Sequence, residues 1–243
     1  MKLIQKFMLL LCALSASMVF FGCDEECFES DAGGVCVDTY EDGYYYDNLV
    51  TGLTYENRNE AGDVMRTAVT GEGDDPGRFR FLPGQSIAFS LGDTDLGETP
   101  AGVRVTPFDI AGVEEEAVGG CEVVETLPED DFRIVHNLAV LLQTLDADGD
   151  HTTGIEISSE VAALFEGVSV DVNQSWADFQ ADTGLLGVLE AANTQSLFPD
   201  ARELLEREEA LRALYQGIGL CTDGGTGGTG GTAGSGGAGG AGG

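Results

Sequence analysis

The chain has 243 residues, of which 43 are Asp or Glu and 11 are Lys or Arg, for a formal charge of −32 at pH 7. Such a charge excludes nucleic acid and anionic membrane surfaces as electrostatic partners, because both demand basic patches. An acidic, exported protein fits it better, with the charge serving solvation or an affinity for divalent cations or basic partners.

The first residues, MKLIQKFMLLLCALSASMVFFGC, open with Lys2 and Lys6 and continue in an apolar run of 15 residues from Phe7 to Phe21. That run is too short for a comfortable membrane span and has the form of an export leader over residues 1–22. Its end, Phe20-Phe21-Gly22-Cys23, resembles the lipobox of bacterial lipoproteins, with Phe20 where Leu, Val or Ile is usual. The resemblance implies that Cys23 is acylated and anchors the chain to a lipid bilayer. Loss of the leader removes two of the 11 basic residues and none of the 43 acidic ones, leaving 9 − 43 = −34.

Residues 23–47 form an acidic, loop-rich tether, and Tyr44 to Tyr46 begin the first strand or cover its edge. Four cysteines remain beyond Cys23: Cys27, Cys36, Cys121 and Cys221. An even count in an exported chain predicts two disulfides among three pairings. Cys27 with Cys36 and Cys121 with Cys221 is the preferred set, since the first closes a short loop and the second ties the end of the helical part to its beginning. No C-x-x-C pair occurs, so zinc is not expected.

Over residues 48–120 the apolar pattern has period two, which predicts a β-sandwich-like half. In SIAFSLG, Ile87, Phe89 and Leu91 share one face; in RFRF, Phe79 and Phe81 do. LVTGLTYE, DVMRTAV and GVRV are further strands. NRNEAGD, GEGDDPG, LPG and GDTDLGETPAG read as turns between them. GEGDDPG lacks the Lys-Ser/Thr ending of a phosphate loop.

Residues 121–221 switch to a helical period. Thr126 and Glu129 have capping-box spacing. In DDFRIVHNLAVLLQTL, the positions Ile134, Leu138, Leu141 and Leu145 form an apolar face joined by Val135 and Leu142, which puts His136 and Gln143 on the polar side. Ser158 caps a short helix that stops at Gly167. SWADFQ, TGLLGVLEAAN and Pro199 to Gln216 are further helices, the last with an apolar stripe at Leu204, Leu211, Tyr215 and Ile218. Arg202–Glu206 and Glu208–Arg212 pair four apart on its outside. The tail, residues 222–243, is Gly/Thr-rich and has the composition of a flexible coil. Overall the pattern is α+β, a strand half followed by a helical half.

Between two helices lies LDADGDHTTGIEIS, with the acidic loop at residues 146–158. Calcium takes six to eight oxygens, and carboxylates at alternating positions can turn inward around it. Asp146, Asp148 and Asp150 supply the first, third and fifth positions of an EF-hand loop, and a helix stands on either side. Position six is His151 rather than glycine, and position twelve is Ile157 rather than glutamate. With two extra residues near Thr152 to Gly154, Glu156 or Glu160 closes the site and a carbonyl near Thr152 assists. The bland alternative is a polar helix cap and turn. Three carboxylates in five residues repel one another, and a cation relieves that repulsion.

Asp47 to Glu166 resembles a module of exported bacterial lipoproteins and surface proteins. The stretches that carry it are LVTGLTY, GRFRFLPGQSIAFSLGDTDLG, VTPFDIAG and NLAVLLQTLDADGDHTTGIEIS, with Thr153 where that group has Asn. It implies strands followed by helices and a recurrent acidic loop, without an established activity. Catalysis is not expected: no G-x-S-x-G or H-E-x-x-H is present, His136 reads as a surface residue, and the lone Trp176 reads as core. The function expected is a non-catalytic, lipid-anchored envelope protein on the periplasmic face or outer surface of a bacterium, stabilised by calcium and binding an envelope protein or glycan. The alternatives are an accessory subunit of an envelope transport or assembly complex, and a secreted hydrolase.

Overall fold

The structure is a computed structural model and describes residues 27–30, 36–71 and 75–222. The leader 1–22, the acylation candidate Cys23 and the tail from residue 223 lie outside the described residues, and so do the side chains of Cys27 and Cys36. One unit ends at Tyr40 and a second begins at Glu41. In the first, β1 (Cys27–Ser30) and β2 (Cys36–Thr39) pair antiparallel, Cys27 opposite Thr39 and Ser30 opposite Cys36.

The second unit is α+β, with antiparallel sheet early in the chain and helices after it. Its largest sheet has the order β6-β5-β8-β9, from β5 (Thr54–Arg58), β6 (Val64–Val69), β8 (Ser86–Leu91) and β9 (Thr94–Pro100), every pair antiparallel. A second sheet places β3 (Glu41–Tyr45) between β7 (Arg78–Phe81) and β10 (Arg104–Val105), antiparallel to β7 and parallel to β10. A third pairs β4 (Val50–Thr51) in parallel with β11 (Ile155–Glu156), so the acidic loop is laced into the strand half.

Alternation explains the packing. Ile87, Phe89 and Leu91 are buried, as are Phe79 and Phe81, while Arg78 and Arg80 stay at the margin. The rings of Tyr45, Tyr55, Phe79 and Phe89 meet edge-on or tilted, with centroids 4.9 Å apart for Tyr45–Phe89 and 5.5 Å for Phe79–Phe89. Edge-to-face contact suits the quadrupoles of such rings. The residues read as a turn, GDTDLGETPAG, instead contain β9. Thr94, Leu96 and Thr99 point inward there, and Gly97 takes φ +117 where the pairing register shifts. A bulge thus absorbs the glycine that had suggested a break.

Among the described residues six α-helices follow β10. These are α1 (Pro107–Ala111), α2 (Glu129–Thr144), α3 (Ser159–Ala163), α4 (Trp176–Phe179), α5 (Thr183–Thr194) and α6 (Arg207–Gly217). Ser158 caps α3 and Ser175 caps α4 through their hydroxyls, and Asp182 caps α5. The start of α2 is different from the expectation. Pro128 occupies its N-cap, and the Thr126 hydroxyl donates to the Val123 carbonyl at 2.7 Å instead of capping.

Helix α2 is buried on every side from Val135 to its end at Thr144. His136 and Gln143 are therefore interior, contrary to their assignment to a polar face. A helix surrounded by other elements has no solvated side for its polar residues. Gln143 donates to Asp47 Oδ1 and to the Ala210 carbonyl, both at 3.0 Å. Asn137 donates to the carbonyls of Val172 and Gln174 at 3.0 and 2.9 Å. His136 is 1% exposed, stacks on Phe132 and has no hydrogen-bond partner at either nitrogen. Burial, and secondarily the Arg207 guanidinium, lowers its pKa to about 4.

The helix expected from Pro199 begins only at Arg207. Residues 201–206 bond outward instead. The Arg202 N–H donates to Asn193 Oδ1 at 2.7 Å, Asn193 Nδ2 donates to the Arg202 carbonyl at 2.8 Å, and the Leu205 N–H donates to Thr144 Oγ1 at 3.1 Å. These tertiary bonds replace the helical ladder. Arg202 and Glu206 consequently do not pair across a helical turn, and Glu208 pairs with Arg207 at 2.9 Å. Cys121 and Cys221 form a disulfide, as preferred from the sequence, beside the bridge of Gly120 to Thr222. Trp176 is half-buried and stacks on Phe179. Among the described residues no helix is long and apolar enough to cross a membrane.

Candidate metal centre

Leu145 caps the C-terminus of α2, its N–H returning to the carbonyls of Leu141 and Leu142, and the next residue starts the acidic loop. Two bonds close the loop at its base. The Ala147 N–H donates to the Glu156 carbonyl at 2.8 Å, and the Glu156 N–H donates to Asp146 Oδ1 at 2.9 Å. The parallel pairing of β11 with β4 then fixes the far side, with the Ile155 N–H on the Leu49 carbonyl and the Ile157 N–H on the Thr51 carbonyl.

Inside this frame, Asp148 and Asp150 each satisfy loop backbone. Asp148 Oδ1 accepts from the Asp150 N–H at 2.8 Å, and Asp150 Oδ1 accepts from the Thr152 N–H at 3.2 Å and from the Thr152 hydroxyl. These are Asx turns, which let a short carboxylate stand in for a backbone acceptor. Gly149, at φ +77, and Gly154, at φ +118, supply the left-handed steps between them.

Asp146 is 1% exposed, and its Oδ2 has no donor. Burial raises its pKa above the ordinary carboxylate value; the Glu156 N–H opposes that rise, the neighbouring Asp148 carboxylate adds to it, and the Arg202 guanidinium pulls it back down. An unpaired buried carboxylate oxygen is costly, and two adjacent carboxylates favour sharing either a proton or a cation. Asp146, Asp148 and Glu156 line one open cleft of about 310 Å³ with Leu49, Thr51, Thr153 and Gly154.

The six residues expected to act together are therefore divided. Asp146, Asp148 and Glu156 reach the cleft. Asp150 and Thr152 are engaged with each other in the turn over His151–Thr153. Glu160 sits in the first turn of α3 and accepts from Ser159 Oγ at 3.0 Å, away from the cleft walls. Among the described residues no three His, Cys, Asp or Glu side chains stand close enough to enclose a metal ion. The chemistry of the cleft suits a hard cation: carboxylate oxygens, one of them buried and donorless, with threonines and backbone nearby.

The sequence offered no signal for the part of this site contributed by the strand half. After the buried Asp47 the chain passes through Asn48 and Leu49, at φ +59 and +64, before entering β4. Left-handed conformation is unfavourable for leucine. Here it is imposed by the Leu49 carbonyl accepting from Ile155 and by close packing of Gly77 on the Leu49 backbone. Arg202 is the second omission, and the irregular segment described above is what brings it to the loop. No protein-family model, curated protein or solved structure matches this chain.

Proposed function

We propose that this chain is a non-catalytic, lipid-anchored protein of the bacterial cell envelope, exported by its leader and acylated at Cys23, in which the acidic loop takes up a structural calcium ion. Asp146 and Asp148 hold the ion, backbone and water oxygens of the cleft complete its shell beside Glu156 on the cleft wall, and Asp150 and Thr152 stiffen the turn. The observation that carries the metal reading is the buried, donorless Oδ2 of Asp146 beside the Asp148 carboxylate in an open cleft. Calcium supplies the positive charge that this pair lacks and ties α2 to β11 and, through it, to β4.

Other features favour the same picture. The Cys121–Cys221 disulfide suits an oxidising compartment outside the cytoplasm. The interlocking rings of Tyr45, Phe79 and Phe89, drawn from two sheets, favour a sandwich-like strand half. Helix, acidic loop and helix in succession favour an EF-hand-like element. The resemblance to exported lipoproteins at NLAVLLQTLDADGD agrees with this placement, and the partner is an envelope protein or glycan.

Two measurements test the reading. In calorimetry of the full chain in detergent, calcium binds with a dissociation constant on the order of 10⁻⁴ to 10⁻³ M, typical of extracellular sites. At 10 mM calcium that binding stabilises the fold by about 1.4–2.7 kcal/mol. Asp146→Asn combined with Asp148→Asn abolishes both effects; equal binding by this variant removes the site. Separately, cells fed a labelled fatty acid incorporate it into the chain, and Cys23→Ser prevents this. Label retained in that variant refutes the anchor.

A further inference from the structure

Arg202 occupies an unusual position for one of only 11 basic residues in a chain with 43 acidic ones. It lies in the irregular stretch between α5 and α6, and both its N–H and its carbonyl are clamped by the Asn193 side chain. Its guanidinium lies over the ring of the buried Phe198, 4.9 Å from the centroid. The same guanidinium presses on the acidic loop. A Cβ placed on Gly149 would stand 2.8 Å from one of its terminal nitrogens and 2.9 Å from the other. Among the described residues it forms no ion pair within 4.0 Å, so its charge is not consumed by a surface partner and is directed at the loop.

We infer that Arg202 is a tethered counter-ion of the acidic loop, which competes with an incoming divalent cation and sets the affinity of the cleft for it. The inference rests on the calcium reading of the same cleft. The side chain is held from three directions: the Asn193 clamp fixes its backbone, Phe198 carries its flat face, and Gly149 leaves room for its end. Glycine at 149 leaves this approach open and suits the left-handed turn. The guanidinium offsets part of the loop's negative charge in the absence of metal. It repels a divalent ion that enters beside Asp146 and Asp148.

The test is calcium titration by calorimetry of the full chain in detergent at pH 7, after removal of divalent ions with a chelator. Wild type, Arg202→Gln and Arg202→Lys are compared. A unit charge acting on a divalent ion over about 6 Å of water-like dielectric changes binding roughly tenfold, so Arg202→Gln binds calcium about ten times more tightly, whereas Arg202→Lys stays near wild type because it keeps the charge. The Asn193 clamp acts on backbone atoms and survives both substitutions. Equal or weaker binding by Arg202→Gln, with wild type still binding, overturns the role of Arg202 alone. Tightening by Arg202→Lys as large as by Arg202→Gln overturns it too, since packing rather than charge is then responsible. Failure of all three proteins to bind calcium overturns the cation reading and this inference together.

Discussion

Replacing Asp47 by asparagine is expected to stabilise the protein at pH 7 by about 4 kcal/mol while leaving its stability near pH 4 almost unchanged. Asp47 is fully buried, accepts one hydrogen bond from Gln143 and has no donor at Oδ2. Burial raises its pKa from 3.8 to about 8, with the Gln143 bond opposing the rise. The folded state therefore binds the proton more tightly than the unfolded state. This contribution is fully favourable below pH 3.8 and is lost as pH climbs to about 8. At about 1.36 kcal/mol per pH unit, the loss by pH 7 is about 4 kcal/mol. Asparagine is neutral at every pH and keeps the carbonyl that Gln143 addresses. Its amide nitrogen lacks an acceptor, just as the protonated carboxyl does, so that cost nearly cancels between the two.

His136 shapes the other side of the profile. Its folded pKa is lowered from 6.5 to about 4, chiefly by burial and then by Arg207, with Glu208 opposing. Its contribution is lost as pH falls from 6.5 towards 4. Between those values the slopes of His136 and Asp47 have opposite signs and similar size, so wild-type stability is nearly flat. Above pH 6.5 the downward slope of Asp47 remains. In Asp47→Asn the slope from pH 4 to 6.5 becomes positive. Urea unfolding at pH 4.5, 6, 7 and 8 measures this, and a variant profile parallel to wild type shows that Asp47 ionises normally.

Neither group was legible as buried. Asp47 sits in an acidic stretch whose composition reads as tether, yet the ordered second unit begins at Glu41 and β3 runs straight into the core. His136 and Gln143 lie off the Leu/Ile stripe of α2, and amphipathic reasoning sends such residues to water. That inference fails when a helix is covered on all sides, which no single helix reveals. Local chemistry was more informative. Ser158 caps the helix its position announces, and the alternation of Ile87, Phe89 and Leu91 marks a strand with its face. Thr106-Pro107-Phe108-Asp109 is a capping box with proline at its start, legible in the sequence, and it opens α1. For the candidate site, the spacing of Asp146 and Asp148 was visible because both lie in one turn. Leu49, Thr51 and Arg202 arrive through β pairing and through bonds to Asn193, contacts across long separations that local periodicity does not encode.

Removing the Cys121–Cys221 disulfide is expected to cost about 4–5 kcal/mol. The bridge spans 100 residues, and closing a loop of that length in the unfolded chain carries about that much entropy. The repulsion within a chain of formal charge −32 expands the unfolded ensemble, which places the effect at the upper end of the range. The native contacts around the bridge do not depend on the sulfurs. The Val118 N–H donates to the Leu220 carbonyl at 2.8 Å, and the Leu220 N–H donates to the Tyr215 carbonyl at 2.8 Å. The last turn of α6 is therefore expected to stay docked on the segment before α2 when Cys121 and Cys221 are both changed to alanine. Two signatures separate this mechanism from damage to the fold. The denaturant midpoint falls, and the dependence on denaturant steepens, because an uncrosslinked chain exposes more surface on unfolding. The near-ultraviolet circular dichroism of the folded variant remains that of the parent, since the rings of Phe108, Phe132 and Tyr215 pack together without the bridge. An unchanged midpoint refutes the entropic role, and a lowered midpoint with a shallower slope and lost aromatic signal assigns the bridge to native packing instead.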